Sequence, residues 1–522
     1  LQAHYGKPLS LATIPADDPE TYRMIQRAET VGVFQIESAA QRASLPVLKP
    51  ENFYDLVVQV AIIRPGPILA GVKHPYLRRR NGLEPVVYAD KRLEPILKRT
   101  YGTIIFQEQL MRVAIAVGNF TPGEANEIRK NIGSFSAKGN IGRWVVKLTQ
   151  GMVENGISEE FIQEVVKQIQ GFSSYGFPES HAASFALLAY ASCYLKCHYP
   201  AVFFAALLNS QPMGFYQPDT LIKTARHSGV PILPACVNRS DWDATLEPVR
   251  SSNSDPQFGI RLGLNMVTGL GQAAARASVA QRPAPGKWPD LEAFLANCDL
   301  TRTDLTALAA ANALQVFGLD RKSAIWLAES PRYRHYLKGE DFQFTVAPEE
   351  PEKDEGVLFP EETEMETVEA DYRATGTSLG RHFARLIKEQ AWVYPVPTDQ
   401  IVTSAGISRV DAGRTISVFG MVLVRQSPGT AKKMLFVTLE DEYGTVQVVI
   451  RPHVYARYSQ VIEEQRFLCL TGKLQRQDGA VSVLVSQVFS PELKKAAVIT
   501  LEQNEKYQRL NKNEYTRIRN YM

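Results

Sequence analysis

The segment Tyr175-Gly-Phe-Pro-Glu-Ser-His181 groups residue types that suit a polyphosphate ligand. Gly176 and Pro178 make a rigid turn, Glu179 and Ser180 are cap-forming residues, and His181 opens a helix. Helix-start N–H groups and an imidazole both bind phosphate oxygens, while the Tyr175 ring offers a face to a sugar or base. A histidine that merely caps a structural helix accounts for the same residues.

Other candidates follow the same logic. Arg129 and Lys130 are neighbouring cations at the end of an expected helix, one a bidentate fork and the other a point charge for phosphate. They equally suit a solvated helix face. Arg64-Pro-Gly-Pro67 has proline and glycine at the central positions of a type II turn. Pro67 lacks the N–H that would close it, so packing holds the turn, and Arg64 is either a phosphate contact or structural. Leu264-Asn-Met-Val-Thr-Gly-Leu-Gly271, followed by Ala275, fits a helix-hairpin-helix. There Gly269, Leu270 and Gly271 turn tightly enough for N–H groups to meet a DNA phosphate, although such hairpins also serve as packing units. Phe436, Tyr443 and Tyr455 with Arg425, Lys432 and Lys433 supply the stacking and charge that single-stranded nucleic acid uses. Barrels with this mixture also bind proteins. Cys193, Cys197 and His198 have no second ligand cluster after them, so buried thiols on a helix face are favoured over a metal site.

The elements that must position these residues divide the chain. Residues 1–245 read as mainly helical. Thr121-Pro-Gly-Glu124 is a capping box with proline at the first helical position. Ser158 caps a further helix whose Phe161, Val165 and Ile169 share one face, with Gly171 as a natural stop. From His181 to Asn209 two buried helices are divided at Pro200. Residues 246–338 open with Phe258-Gly-Ile-Arg-Leu-Gly-Leu and continue into the glycine hairpin. The acidic stretch 339–372 reads as a linker or mobile loop, and 373–411 as a connecting segment. From 412 to 490 the period switches to two, giving about five strands and one helix near Val454 to Glu463. That is a small all-β barrel of the oligonucleotide-binding type. A polar, basic tail fills 491–522.

Bulk properties agree with a multidomain globular protein. A chain of 522 residues exceeds one core and suggests three or four domains. A net charge of +3 does not announce a polyanion partner, but its distribution is uneven. Lys73, Arg78, Arg79, Arg80, Lys91, Arg92, Lys98 and Arg99 crowd one region, and acid collects between Glu349 and Asp371, which fits either a basic binding face or an ordinary solvated surface. The five cysteines form no CxxC pair and fit a reducing cytosol. The longest apolar stretch, Ala182 to Leu195, is too short for a membrane span, so no membrane partner is expected. A start at Leu1, with neither methionine nor signal-peptide pattern, reads as a cut rather than a native terminus.

Phe34-Gln-Ile-Glu-Ser38, Arg64-Pro-Gly-Pro67, Tyr101-Gly-Thr-Ile-Ile-Phe-Gln-Glu-Gln109 and Tyr175 to His181 together resemble bacterial DNA polymerase III alpha subunits in order and spacing. The hairpin and barrel follow in that family's order too. The resemblance implies fingers over 1–245 with the end of the palm connection, a tandem helix-hairpin-helix region over 246–338, and an oligonucleotide-binding domain over 412–490. It also implies that Tyr175 and His181 face the incoming deoxynucleotide, and that Arg129 and Lys130 occupy the place of an Arg-Arg pair. The Asn-Ile-Gly-Ser run after Lys130 has fewer cations than many relatives.

Pro178-Glu179 before Ser180-His181, with Asn209-Ser-Gln-Pro-Met-Gly-Phe215, looks like the error-prone, damage-tolerant branch, as does an end soon after the barrel. The implied function of the complete protein is translesion DNA synthesis with Mg²⁺ held by palm aspartates upstream of Leu1, so the chain alone is expected to hold no metal and to be inactive. Implied partners are primer-template DNA, deoxynucleoside triphosphates, the sliding clamp and mutagenesis accessory proteins, in the cytoplasm. Gly356-Val-Leu-Phe359 is the candidate for a clamp-binding peptide. A replicative alpha subunit and a non-catalytic DNA-binding scaffold are the competing readings.

Overall fold

The structure, a computed structural model, describes residues 1–63, 73–131, 141–172, 178–213, 216–249, 257–283, 286–330, 333, 336–338, 359–389, 396, 400–427, 434–477 and 480–489. Its contacts form two compact units, Leu1–Leu233 with Asp243–Gly263, and Pro234–Trp242 with Leu264–Met522.

The first unit is mainly helical. Helix Phe53–Ile62 starts with a capping box between Asn52 and Asp55 and is buried on every side from Asp55 to Ile62. It packs against helix Glu179–His198. That helix buries Ala182, Ala186 and Ala189, small residues that let the two backbones approach. It leaves Ser180, His181, Ser184, Leu187 and Leu188 exposed on its outer face. Helix Pro200–Asn209 begins at the proline, as the sequence leads one to expect. Asp55 is buried, and its carboxylate receives both terminal nitrogens of Arg80 at 2.6 and 2.8 Å. This bidentate pair offsets the cost of burying the charge.

A second cluster in this unit joins helices Gln107–Val117, Pro122–Asn131, Ile141–Glu154 and Glu159–Phe172 around Leu110, Val113, Ile128, Leu148, Met152 and Ile162. The expected capping box forms. Thr121 N–H donates to Glu124 Oε2 at 3.0 Å, and Glu124 N–H donates to Thr121 Oγ1 at 3.3 Å. Helices meet closely where Gly118 faces Gly151, and a Cβ on Gly151 would land on the Gly118 carbonyl.

A three-stranded sheet completes the unit. Strands β1 (Ile232–Leu233), β2 (Thr245–Val249) and β3 (Gln257–Arg261) stand in the order β1-β3-β2. The described residues among 246–263 join this sheet, because β3 pairs with both β1 and β2 and ties Arg261 to Glu247 at 2.9 Å.

In the second unit, helices Gln272–Ala280, Leu291–Asn297, Arg302–Ala310 and Arg321–Glu329 enclose Phe294, Leu305, Leu308, Leu314 and Ala324. The acidic stretch departs from expectation at its end. Residues 339–358 lie outside the described residues, but Glu364–Thr375 is a helix opened by a Thr363–Glu366 capping box. Its acids mostly face solvent, Val368 and Ala374 are buried, and Asp371 pairs with the buried guanidinium of Arg321. The acidic composition hid a helix held both by this ion pair and by a narrow apolar stripe that includes Met365 and Val368.

Strands β4 (Thr415–Gln426), β5 (Leu435–Glu440), β6 (Thr445–Ile450), β7 (Phe467–Gln477) and β8 (Ala480–Phe489) close a barrel in the order β4-β5-β6-β8-β7. Alternate residues such as Val437, Leu439, Val448 and Ile450 fill it. Helix Pro452–Glu464 joins β6 to β7 and adds Val454 and Ile462 to that core. The connecting segment contributes directly to this assembly: Ala384, Ile387 and Ile401 pack with Phe419 and Cys469. No helix among the described residues is long and apolar enough to cross a membrane.

Gly151 offers a test by sign. Glycine to alanine inside a helix ordinarily gains up to about 1 kcal/mol. Here the overpacking penalty of about 1–3 kcal/mol prevails. Gly151→Ala is expected to lower the melting temperature of the chain, and an unchanged or raised value would refute the close approach.

Candidate functional site

His181 is exposed in the first turn of helix Glu179–His198. It lines a shallow recess of about 380 Å³ with Pro178, Ser180 and Ser184. Its ring meets the edge of Phe185 at a centroid distance of 4.4 Å, and Phe185 in turn meets Phe34 at 5.3 Å. Tyr175, the other member of the segment, lies outside the described residues.

The helix start is not capped as the sequence suggested. Pro178 occupies the N-cap position, with no side-chain cap bond, and Glu179 N–H donates to Glu108 Oε2 at 3.0 Å. Glu108 comes from helix Gln107–Val117, so a separate element supplies the acceptor and its negative charge suits the helix dipole. Glu179 turns outward instead. Its Oε1 accepts from the Tyr54 hydroxyl at 3.0 Å and lies 3.7 Å from Arg99, whose guanidinium stacks 3.6 Å from the Tyr54 ring centroid. Burial and the nearby Glu179 carboxylate together raise the Tyr54 phenol well above its ordinary pKa. Spacing gave no signal for this four-residue buttress, although Glu108 lies inside the Tyr101–Gln109 motif and Glu179 inside the histidine motif.

The phosphate candidates separate. Arg129 and Lys130 are exposed in the last turn of their helix, paired with Asn126 at 3.1 Å and Glu127 at 2.9 Å. Such exposed pairs contribute little and exchange readily. Arg64, Lys432 and Lys433 lie outside the described residues. In the hairpin, Gly269 adopts φ +87°, which glycine tolerates. Thr268 N–H donates to the Ala374 carbonyl at 2.8 Å, Leu270 N–H to Val267 at 3.3 Å, and Gly271 N–H to Asp304 Oδ1 at 2.7 Å. The amides expected to point at DNA are thus engaged inside the unit, and the Leu270 side chain belongs to its core. The reading of exposed hairpin N–H groups at Leu270 and Gly271 needs that correction. A Cβ on Gly271 would come within 3.1 Å of Asp304 Oδ1, and that carboxylate is fixed because its other oxygen accepts from Thr301.

On the barrel, Tyr443 is exposed, while Arg425 is spent on the carbonyls of Ile462 and Gln465 at 2.8 Å each. His198 faces Asp18 at 2.8 Å, Cys193 is buried and Cys197 half-buried. Among the described residues no group of three or more metal-ligating side chains is placed to hold a cation. The described residues therefore do not fit the implied Mg²⁺ site.

The comparisons with known proteins add three domains in series. Residues 1–156 match the bacterial DNA polymerase III alpha subunit finger domain, 229–324 a helix-hairpin-helix motif, and 416–490 an OB-fold nucleic acid binding domain. The chain is thus related to that polymerase family in domain content. Relatives over nearly its whole length are error-prone DNA polymerases. It is 41% identical to error-prone DNA polymerase 2 of Rhizobium meliloti over 94% of this chain and 44% of that protein. The error-prone DNA polymerases of Pseudomonas fluorescens and Methylococcus capsulatus are 44% and 42% identical, covering 93% and 92% of this chain and 46% of each protein. The chain spans about half the length of the curated relatives it matches.

Glu37 of the Phe34–Ser38 motif has its carboxyl raised by burial to about 7, with Lys196 acting in the opposite direction. The folded chain holds this proton more tightly than the unfolded chain does. The resulting stabilisation is full below about pH 4.5 and lost as pH rises through 7. Glu37→Gln removes that loss. Denaturant unfolding is expected to show the variant more stable than the parent at pH 8, on the order of 1 kcal/mol after solvent screening. The difference should shrink toward pH 5. A variant less stable at pH 8 would show that the carboxylate is well accommodated.

Proposed function

We propose that the complete protein containing this chain is an error-prone, template-directed DNA polymerase, and that the chain supplies nucleotide and primer-template contacts. The observation that carries this reading is the exposed His181, held at a buttressed helix start within a chain related throughout to error-prone polymerases. The imidazole stands where it can donate to a triphosphate oxygen. Arg129 and Lys130 are available to phosphate because their present partners are weak, solvated ones. Tyr175 would lie six residues before His181 and pack on the nucleotide. Mg²⁺ would supply the charge that clamps attacking and leaving oxygens, held by carboxylates other than those described here. Primer-template DNA, deoxynucleoside triphosphates, a sliding clamp and mutagenesis accessory proteins are the proposed partners. A replicative subunit is the lesser reading, since the similar relatives named above are error-prone ones.

Two measurements test it. The 522-residue chain alone is expected to bind primer-template DNA with an affinity that falls steeply with salt. It is not expected to extend a primer, and Mg²⁺-dependent extension stopped by a chelator would overturn the assignment of the metal carboxylates elsewhere. In the complete protein, His181→Ala is expected to raise KM for deoxynucleotide and lower kcat/KM roughly ten- to hundredfold. That is the loss of a charged hydrogen bond of about 1.5–3 kcal/mol. A lower melting temperature with unchanged kcat/KM would reduce His181 to a structural role.

A further inference from the structure

The motif Phe34-Gln-Ile-Glu-Ser38 has no role in the reading above, yet it is joined to His181 through a shared ring, Phe185. Its turn is firmly fixed. Val33 and Ile36 are fully buried anchors, Thr30 Oγ1 donates to the Ile36 carbonyl at 2.6 Å, and Ser38 caps helix Ala39–Leu48. The Tyr216 hydroxyl donates to the Glu37 carbonyl at 3.2 Å, so the segment that follows Asn209-Ser-Gln-Pro-Met-Gly-Phe215 braces the turn from outside. Gln35 is held at φ +69°, a conformation that costs a residue with a side chain on the order of 1 kcal/mol. Between the two buried anchors, Phe34 is 45% exposed.

The turn buries Val33 and Ile36 in the core and leaves the Phe34 ring half-exposed. One side of its ring meets Phe185, and Phe185 is the ring against which His181 rests. The three rings form a step: imidazole at the polar recess, Phe185 as the riser, Phe34 as an open aromatic face. A nucleotide has the matching polarity, with charge at one end and a flat base at the other.

We infer that Phe34 is a positioning residue for the incoming nucleotide, its ring packing on the base while His181 engages the phosphates. This rests on the reading of His181 given above. Stacking accepts every base alike and carries no hydrogen-bond code. It would hold the nucleotide in place without selecting it, which suits synthesis of low selectivity.

The test uses the complete protein and steady-state single-nucleotide insertion with each of the four deoxynucleotides. Phe34→Leu keeps the apolar contact with Phe185 and removes the aromatic face. It is expected to raise KM about tenfold for all four nucleotides with kcat little changed, and Phe34→Trp is expected to restore it. The melting temperature is measured on each preparation. Unchanged KM in Phe34→Leu, with KM raised in His181→Ala, would overturn this inference and leave the nucleotide reading standing. Unchanged KM in both variants would overturn both. A KM raised equally by leucine and tryptophan, with a lowered melting temperature, would make Phe34 a packing residue only and also overturns the inference.

Discussion

The N–H of Glu179 donates to a carboxylate on another helix, and much of the first unit depends on that contact. A helix start leaves donors without partners, and Pro178 cannot cap with its side chain. Glu108 meets the need from the Gln107–Val117 helix, so the two elements are fixed against each other by a charge-assisted bond. Glu179 is thereby left to reach outward to Tyr54 and Arg99. The helix that carries His181 is located at its first residue and along its length by the Phe53–Ile62 helix. The backbone that carries the exposed imidazole is therefore held from two sides.

The same economy of N–H groups decides the second unit differently. Asp304 caps its own helix through Thr301 and also takes the Gly271 amide, while the end of the Glu364–Thr375 helix takes the Thr268 amide. A hairpin whose donors are satisfied internally is a rigid packing unit first. Contact between this region and a nucleic acid backbone would then rest on side chains and on whatever main-chain groups the internal bonds leave over.

Much of this was legible in the sequence where the signal is local. The Thr121 capping box, the break at Pro200 and the period-two run of the barrel each express a short-range rule, and each element formed where the rule placed it. The relation to error-prone polymerases was legible from ordered motifs rather than from composition. What stayed hidden was pairing between distant segments. No spacing relates Glu108 to Glu179, Asp304 to Gly271, Asp371 to Arg321, or Phe34 to Phe185, because each pair is joined only by tertiary packing. The Glu364–Thr375 helix escaped notice for a related reason: its acidic residues masked the apolar positions Met365, Val368 and Tyr372, and its ion pair with Arg321 joins distant segments.

Charge shows why burial must be read before composition. Five arginines of the early basic cluster have partners: Arg78 and Arg79 with Glu84, Arg80 with Asp55, Arg92 with Asp90, and Arg99 with Glu179. They are not equivalent. Arg80 and Asp55 are both buried, so withdrawing the guanidinium would strand a carboxylate in the core. Arg78, Arg92 and Arg99 are exposed, and their pairs are of the kind that a phosphate displaces at little cost. Of these five arginines, Arg78, Arg92 and Arg99 are the ones able to exchange their partner for a polyanion, whereas Arg80 stays locked to its own fold.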